Sequence, residues 1–542
     1  MGRADLVIVN ARPWSHGALV PGADAVAVSG NSILAVGPRA QVEALGGAGT
    51  RAIDAHGATV TPGITDAHIH LVAWARALRE VRLEGLDRRA VIAAVASRAQ
   101  DARHARSGAL IGRGWAETGW DSAPDHAALD AVAPSQPVLL HSKDFHALWV
   151  NHAAMAAAGV HRGTPDPSGG KIERRPSGEP TGVFREHAVR LFDGLVQAPS
   201  VAQDLEAVKD AAARLLEMGV TAVQDFEGDA EAEVLRAMAK GEGPRVRVLM
   251  HLHRGALDRA LSERIPSQRG DDDFAWGALK LFADGTLGSR TAHVFEPYDG
   301  TEEMGLPLLP ADELKGIIGR AVRNGLSVAV HAIGDRAVHT TLDAFEGCGA
   351  ALGRLRLRPR IEHAQLVLDE DRARFARLGV VASMQPLHCT ADRPLAERWW
   401  GSRVRRSYPW RTFLDDGVSL AFGSDAPVEW PSPILGLHAA VTRESVGAPG
   451  DPFVPMQKIS LDEALTAYTA LPARLADAWP RRGTLAPGAL ADLVIWSTDL
   501  HRTAPSGLHR VSPAFTLLDG VVRFERASSG ESVIAGNRRE GA

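Results

Sequence analysis

Short apolar runs, each followed by a segment with helical periodicity, recur through the middle of the chain. This alternation is typical of parallel strands joined by crossover helices. The eight predicted strands lie at 64–70, 220–225, 246–251, 278–282, 327–331, 359–363, 380–385 and 419–423, with helical patterns at 311–324, 336–345 and 369–378. Eight such units favour an α/β fold of the (β/α)8 TIM-barrel type. A doubly wound open sheet is the alternative, but no Gly-x-Gly-x-x-Gly turn follows the first strand.

The two ends of the chain show a different pattern, in which short β-rich runs are separated by turn residues. These runs lie at 5–10, 25–29, 33–37, 52–60, 491–496 and 515–524. We predict that residues 1–60 and 482–542 form one composite β-sandwich and that residues 61–481 form the barrel. Roughly 150 residues separate the first two barrel strands, whereas an ordinary βα loop has about 2–6. An ordered insertion is therefore expected at about 75–200, over the barrel mouth.

Composition excludes several classes of protein. Of the 542 residues, 45% are hydrophobic and 23% are charged, values typical of a folded globular chain. The net charge of −5 gives no broad positive field, so nucleic acid is not expected as a partner. No apolar run approaches the ~20 residues that span a bilayer, and no signal-peptide core is recognised, so we expect no membrane contact and a cytoplasmic location. Cys348 and Cys389 form no Cys-x-x-Cys pair, so any metal must be bound by His, carboxylate or Lys.

Residues that can bind a metal stand at the ends of four predicted strands. His68 and His70 are two positions apart on the first strand, so their rings project from the same face. His331 and His363 close the fifth and sixth strands, and Asp425 follows the eighth. A single polar residue at a strand end is an ordinary loop feature, but in a barrel these ends form one mouth, where active sites lie. Together the five residues predict a site for Zn²⁺ or a similar divalent ion.

Lys280 ends the fourth predicted strand and bears on the number of ions. A protonated ammonium would repel a cation, so Lys280 is either deprotonated by its surroundings or carboxylated by CO₂ to a carbamate that bridges two metals. An ordinary ion pair, for example with Asp284, is the alternative. The spacing does not distinguish these alternatives. The number of metal ions, one or two per chain, therefore stays open as well.

Two sets of motifs cover the chain from about residue 60 to 495. The first set is PGITDAHIH (62–70), KLFADG (280–285), VHAIGD (330–335), IEHA (361–364), GSDAP (423–427) and GTLAPGALADL (483–493). The second set is GRGW (112–115), HALWVN (146–151), GEPTG (178–182) and KLFADGTLGSR (280–290). The first set resembles the metal-dependent amidohydrolase superfamily, and the second resembles its YtcJ-like branch, which contains N-substituted formamide deformylase. This resemblance implies a (β/α)8 barrel with a composite β-sandwich, in agreement with the hydrophobic pattern.

The resemblance also implies a metal-dependent hydrolase that acts on a carbon–nitrogen bond other than a peptide bond. His68, His70 and Asp425 would hold one metal and His331 and His363 a second, with carboxylated Lys280 between them. With a single metal, His363 would orient the water or polarise the substrate. A metal held there would lower the pKa of bound water to about 7 and so supply a hydroxide able to attack a carbonyl carbon. Asp425 would act as general base and then pass the proton to the leaving amine.

A small-molecule substrate is the expected partner, and an amide or N-substituted formamide with an apolar N-substituent is the expected class. The predicted substrate-binding residues are Trp115, His146, Phe226, Arg290 and Gln385. Core packing is the alternative for Trp115 and Phe226, and loop anchoring is the alternative for Arg290. A deaminase of an amino-heterocycle and an N-acyl-amino-acid hydrolase would use the same chemistry and stay open, as does a barrel that binds without catalysis. A homodimer rests on analogy alone.

Overall fold

The computed structural model describes residues 3–100, 108–117, 120–142, 147–195, 199–265 and 270–527. The chain divides into two compact units. The first unit contains the residues up to Ala73 and those from Val208 onward, and the second unit is Trp74–Ala207. None of the helices in these described ranges is both long enough and apolar enough to cross a bilayer.

The first unit begins with seven short strands and one helix, followed by the first barrel strand. Turn residues separate these strands, as predicted from the short β-rich runs at the two ends of the chain. The elements are β1 (Leu6–Val9), β2 (Arg12–Ser15), β3 (Ala18–Leu19), β4 (Ala25–Ser29), β5 (Ser32–Gly37), α1 (Arg39–Glu43), β6 (Arg51–Asp54), β7 (Thr59–Pro62) and the barrel strand β8 (Ile64–Ile69).

The second unit is a six-stranded mixed sheet packed against short helices. Its sheet order is β13-β14-β12-β11-β10-β9, and its core includes Trp115, Leu140 and Trp149. The side chain of Asn151 begins helix α5 by accepting a hydrogen bond from the backbone N–H of Ala154, which caps an otherwise unpaired donor. The elements from β8 onward are α2 (Leu71–Ala77), β9 (Val81–Arg82), α3 (Arg88–Gln100), β10 (Leu110–Trp115), α4 (His126–Asp130), β11 (Val138–Ser142), β12 (Ala147–Val150), α5 (His152–Ala157), β13 (Gly170–Arg174) and β14 (Pro180–Glu186).

The remaining seven barrel strands alternate with helices. The strands are β15 (Val220–Asp225), β16 (Arg247–His253), β17 (Phe274–Phe282), β18 (Val328–Ala332), β19 (Arg360–His363), β20 (Val381–Met384) and β21 (Leu420–Phe422). The helices are α6 (Val201–Glu217), α7 (Asp229–Lys240), α8 (Leu257–Ser262), α9 (Ala311–Arg323), α10 (Asp335–Glu346), α11 (Asp369–Leu378), α12 (Pro386–Ala391), α13 (Arg393–Trp400), α14 (Trp410–Asp415), α15 (Pro433–Thr442), α16 (Leu461–Tyr468) and α17 (Ala470–Leu475).

All eight barrel strands are parallel, in the order β21-β20-β19-β18-β17-β16-β15-β8. The barrel is nearly closed, because the segment after β21 meets the end of β8: Asp425 N–H donates to the His68 carbonyl at 2.6 Å, and His70 N–H donates to the Ala426 carbonyl at 2.9 Å. The predicted (β/α)8 architecture is confirmed. The fourth strand is longer than predicted, since Phe274, Ala275 and Trp276 also pair with β16.

Strands from both ends of the chain share one sheet. The last strands are β22 (Leu493–Trp496), β23 (Pro513–Leu518) and β24 (Val521–Glu525). They form the six-stranded sheet β24-β23-β22-β7-β2-β3, and a second sheet has the order β5-β4-β1-β6. Both sheets contribute to one apolar core, in which Ile8 and Val26 pack together with Leu493 and Leu517. This composite β-sandwich agrees with the predicted fold class.

Candidate metal centre

The six predicted metal-binding residues lie at the carboxyl end of the barrel. His68, Lys280, His331 and His363 belong to β8, β17, β18 and β19, whereas His70 and Asp425 follow β8 and β21. Because the strands are parallel, their carboxyl ends meet at one end of the barrel. All except His70 are buried; the His70 side chain keeps 29% of its surface exposed.

A carboxylate fixes the orientation and the tautomer of His68. Nδ1 of His68 lies 2.7 Å from Oε2 of Glu362. An ionised carboxylate can only accept, so Nδ1 carries the hydrogen and Nε2 presents a lone pair. Burial alone would raise the pKa of Glu362, but the guanidinium of Arg360 and the hydrogen bond from His68 hold that pKa well below its usual range. Arg360 contacts Glu362 through two of its nitrogens.

His363 and His331 have one ring nitrogen each that is held by a neighbour. Nδ1 of His363 donates to Oε1 of Gln385 at 2.8 Å, which leaves Nε2 as the acceptor. Nε2 of His331 donates to the carbonyl of Gly285 at 3.0 Å, which leaves Nδ1. The ring centroid of His363 is 4.5 Å from that of His331 and 5.0 Å from that of His68. The three rings therefore converge.

Asp425 completes the group from a left-handed backbone position. Its φ is +60°, which is uncommon for a residue other than Gly. One carboxylate oxygen lies 3.4 Å from Nε2 of His70 and 3.5 Å from Nε2 of His68. Burial alone would raise the pKa of Asp425, but His68 and the hydrogen bond from His70 hold it well below its usual range. Asp425 is therefore ionised at neutral pH.

The turn that carries Asp425 is anchored beneath the site. The buried carboxylate of Asp66 accepts hydrogen bonds from the Ser424 hydroxyl at 2.6 Å and from the backbone N–H groups of Ser424 and His68. A Cβ at Gly423 would lie only 2.3 Å from the backbone nitrogen of His68, so only glycine fits there. These contacts hold Asp425 against β8.

This donor set fits a divalent metal ion. The ligand atoms offered by His68, His363 and Asp425 all lie within 4.8 Å of one another. Two ligands that share a tetrahedral Zn²⁺ at about 2.1 Å stand roughly 3.4 Å apart, which matches the 3.5 Å between His68 and Asp425. Burial lowers the pKa of His68 to about 4 and that of His331 to about 3, and it lowers that of His363 well below its usual value. The imidazoles are therefore neutral at pH 7, where protons do not compete with a metal.

The amine of Lys280 lies close to two aromatic rings and within the electrostatic reach of Glu362 and Asp425. Its Nζ is 4.4 Å from the ring centroid of Phe226 and 4.9 Å from that of Phe282. Burial lowers the pKa of Lys280 to about 8. The carboxylate of Asp284 accepts backbone N–H groups from His293, Ile333 and Gly334. Within the described ranges, no ion pair joins Asp284 to Lys280.

Comparison with known proteins gives the family. A model described as the Amidohydrolase family matches residues 51–524. The chain belongs to the amidohydrolase family. Its membership confirms the resemblance predicted from the motifs, and together with the His68, His363 and Asp425 group it supports a hydrolase that depends on a divalent metal ion.

Individual relatives place the chain within this family. It is 33% identical to the amidohydrolase YtcJ of Bacillus subtilis (strain 168), over 90% of this chain and 92% of the relative. It is 28% identical to an N-substituted formamide deformylase of Arthrobacter pascens, over 97% and 99% of the two chains. A solved metal-dependent hydrolase of Pyrococcus furiosus is similar to 90% of this chain and 98% of its own length, with a TM-score of 0.70 and 27% identity. The YtcJ-like branch of the amidohydrolases is thereby supported.

The predicted substrate-binding residues lie in different surroundings in this amidohydrolase. Phe226 is buried, and its ring stacks on His68 at 4.1 Å and on His251 at 4.1 Å. Gln385 is bonded to His363. Arg290 pairs with Glu303 at 2.6 Å, with 38% of its side chain exposed. Trp115 lies in the core of the second unit, where its indole donates to the Leu140 carbonyl. His146 lies outside the described residues.

No role was predicted from the sequence for several residues that lie against the candidate metal-binding side chains. Arg360 and Glu362 stand two apart on β19, and two charged residues on one face of a buried strand are a signal of an internal ion pair. Asp66 precedes His68 by two positions on β8. His388 lies in α12, where its Nε2 is 3.8 Å from Asp425. No local pattern distinguished His388 from an ordinary helix residue.

Proposed function

We propose that this protein hydrolyses an amide or N-substituted formamide at a carbon–nitrogen bond other than a peptide bond. The observation that carries the proposal is the buried group of His68, His363 and Asp425 at the carboxyl end of an amidohydrolase barrel. Their N and O donors suit Zn²⁺, with His70, His331 and Lys280 as further ligands for one or two ions. A divalent ion supplies a Lewis acid that polarises a carbonyl and makes water nucleophilic at neutral pH.

Asp425 moves the proton in this proposal. Its carboxylate is ionised because its pKa is held low, so it can accept a proton from the attacking water. As the carbon–oxygen bond forms and the carbon–nitrogen bond breaks, Asp425 passes that proton to the leaving nitrogen. The amine and the acid are then released, and Asp425 returns to its ionised form. No Ser or Cys nucleophile is needed.

The position of Phe282 is evidence for a substrate with an apolar substituent. It stands two residues after Lys280 on β17 and therefore shares its face. Its side chain is 40% exposed, and its ring centroid is 5.3 Å from that of His331. An exposed aromatic ring beside the ligands offers an apolar wall to a bound molecule. An N-alkyl or N-aryl group would cover this ring, which agrees with the name of the formamide deformylase relative.

The environment of Lys280 supports carboxylation. With a pKa lowered to about 8, a useful fraction of its side chain is the neutral amine at neutral pH. That amine can add CO₂ to give a carbamate and release one proton. We expect added bicarbonate to raise the zinc content of the wild-type protein but not that of Lys280→Met. Equal zinc content with and without bicarbonate would contradict carboxylation.

The surroundings of Arg290 weaken the N-acyl-amino-acid alternative. That alternative needs a free cation for the substrate carboxylate, but Arg290 is paired with Glu303 and lies over Trp399. Its charge is already balanced. We therefore rank formamides and simple amides ahead of N-acyl amino acids as substrates.

The test is hydrolysis by the zinc-loaded protein across substrate classes. Formate release from N-cyclohexylformamide and formanilide is compared with ammonia release from adenine and cytosine, and with leucine release from N-acetylleucine. We expect formate release that is lost on chelation, and a loss of about 10²–10⁴-fold in Asp425→Asn. His56→Asn, at an exposed histidine, is the control. Release of ammonia or leucine alone would replace the proposal with one of the alternatives, and no turnover by the zinc-loaded protein would overturn it.

A further inference from the structure

Two buried side chains after β20 each have a polar nitrogen that makes no hydrogen bond to any described residue. Gln385 is 1% exposed and His388 is 6% exposed. Among the residues that the structure describes, Nε2 of Gln385 and Nε2 of His388 find no hydrogen-bond partner. A buried donor without an acceptor is destabilising, so such groups are rare in native proteins and call for a physical explanation.

The orientation of Gln385 follows from the role of His363. If Nε2 of His363 is to present a lone pair, its Nδ1 must carry a hydrogen and needs an acceptor. Oε1 of Gln385 is that acceptor, at 2.8 Å. The amide nitrogen of Gln385 is therefore left as a donor within the site.

His388 lies against the same two ligands. Its ring is nearly parallel to that of His363, at 13° and 6.0 Å between centroids, and its Nε2 is 3.8 Å from Oδ2 of Asp425. The negative charge of Asp425 favours the tautomer in which Nε2 carries the hydrogen. The distance is too long for a hydrogen bond, so this N–H remains available beside the proton-transferring carboxylate.

We propose that His388 contacts the substrate by donating a hydrogen bond from Nε2 to the carbonyl oxygen, with the Gln385 amide as a second donor. This inference rests on the proposed function, because it assumes a substrate with a planar carbonyl group. The oxygen gains negative charge when the carbonyl carbon is attacked, so the hydrogen bond strengthens at that moment. A donor of this kind speeds the reaction without itself taking part in proton transfer.

The test uses substitutions that separate the hydrogen bond from the shape of the side chain. His388→Phe keeps a planar ring but removes the donor, and His388→Gln restores an amide donor. We expect His388→Phe to lower kcat for formamide hydrolysis by about 10²–10³-fold with unchanged zinc content, and His388→Gln to recover most of that loss. His438→Phe is the matched control, since His438 is also buried, lies in α15, and has an Nε2 that makes no hydrogen bond within the described part of the chain.

A binding measurement keeps the inference independent of the substrate class. Acetohydroxamate chelates zinc through two oxygens, one of which is its carbonyl oxygen, and its affinity for the zinc-loaded protein can be measured by calorimetry. We expect His388→Phe to bind it about 10–100-fold more weakly and His388→Gln to bind it nearly as well as wild type. If wild type hydrolyses no amide, the proposed function fails while this comparison still decides the role of His388. Equal affinity of wild type and His388→Phe, or kcat lost equally in His388→Phe and His438→Phe, would overturn the inference.

Discussion

Glu362→Gln is the most informative perturbation of the site, because it changes one charge beneath His68 and almost no volume. Glu362 is fully buried and accepts hydrogen bonds from His68 and from two nitrogens of Arg360. An amide in its place must direct an N–H group at Arg360 or at Nδ1 of His68, both of which are donors. Arg360, which is 1% exposed, would be left without its counter-ion.

The expected magnitudes follow from these contacts. Breaking a buried ion pair by removing one partner costs about 3–5 kcal/mol of folding free energy. Removing the carboxylate that orients a metal-binding histidine weakens metal affinity by about 10–100-fold. Urea unfolding of the metal-free protein gives the first quantity, and competition with a chromogenic zinc chelator gives the second.

Glu313→Gln is the matched control, because the same substitution there affects an exposed ion pair. Glu313 pairs with Arg254, and their side chains are 43% and 52% exposed. Such a pair contributes about 0–1 kcal/mol, and it lies on the surface rather than on a ligand. If Glu362→Gln unfolds at the same urea concentration as Glu313→Gln and binds zinc as tightly, then Glu362 does not set the tautomer of His68 and the reasoning is refuted.

Three further predictions test the surroundings of the site. Burial raises the pKa of Asp225 to about 7 and that of Glu227 to about 8. As the pH rises, these two carboxyls lose their protons at a lower pH in the unfolded chain than in the folded protein. Their contribution to the free energy of unfolding is therefore fully present below about pH 4 and is lost as the pH rises through about 8. The urea midpoint of the metal-free protein should therefore fall less between pH 5 and 8 in Glu227→Gln than in wild type, and equal slopes would contradict this. Phe282→Ala should lower kcat/KM for N-cyclohexylformamide by about 10-fold or more relative to N-methylformamide, because the larger substituent loses its apolar contact; an unchanged ratio between the two substrates counts against Phe282 as a wall. Arg247→Met should cost about 3–5 kcal/mol of folding free energy, since it leaves the buried carboxylate of Asp492 without its ion-pair partner; Arg254→Met at the exposed pair is the control, and a similar urea midpoint in the two variants would refute the prediction.

The barrel could be predicted from sequence because its signals are local. Each strand is a short apolar run, and the predicted helices 311–324 and 369–378 correspond to Ala311–Arg323 and Asp369–Leu378. Parallel order then follows from the alternation of strands and helices. The sheet of the second unit was not predicted in this detail, since its order β13-β14-β12-β11-β10-β9 depends on pairing between segments rather than on periodicity.

Substrate-binding roles for large apolar and cationic side chains are harder to predict from sequence than the barrel strands. Trp115 belongs to a motif of the family, and a tryptophan in a core has the same local sequence signal as one in a pocket; its ring lies in the core of the second unit. Arg290 was assigned to substrate from its charge, yet Glu303 occupies its guanidinium from 13 residues away. The contacts that the structure shows, from Trp115 to the Leu140 carbonyl and from Arg290 to Glu303, join residues too far apart for a short sequence window.

The candidate metal-binding residues and the groups that orient them also differ in how far the sequence predicts them. That His68, His331, His363 and Asp425 would meet at one end of the barrel could be predicted because each stands at or just after the end of an apolar run, and a barrel brings such positions together. Which nitrogen of each imidazole is free depends on partners from other elements: Glu362 is 294 positions from His68, and Gln385 is 22 positions from His363. Residue types at strand ends therefore predict that a metal can bind. Which imidazole nitrogen presents its lone pair to that metal depends instead on contacts between different strands and helices. For this reason Glu362 and His388, rather than further ligands, are the positions where the structure adds most to the sequence.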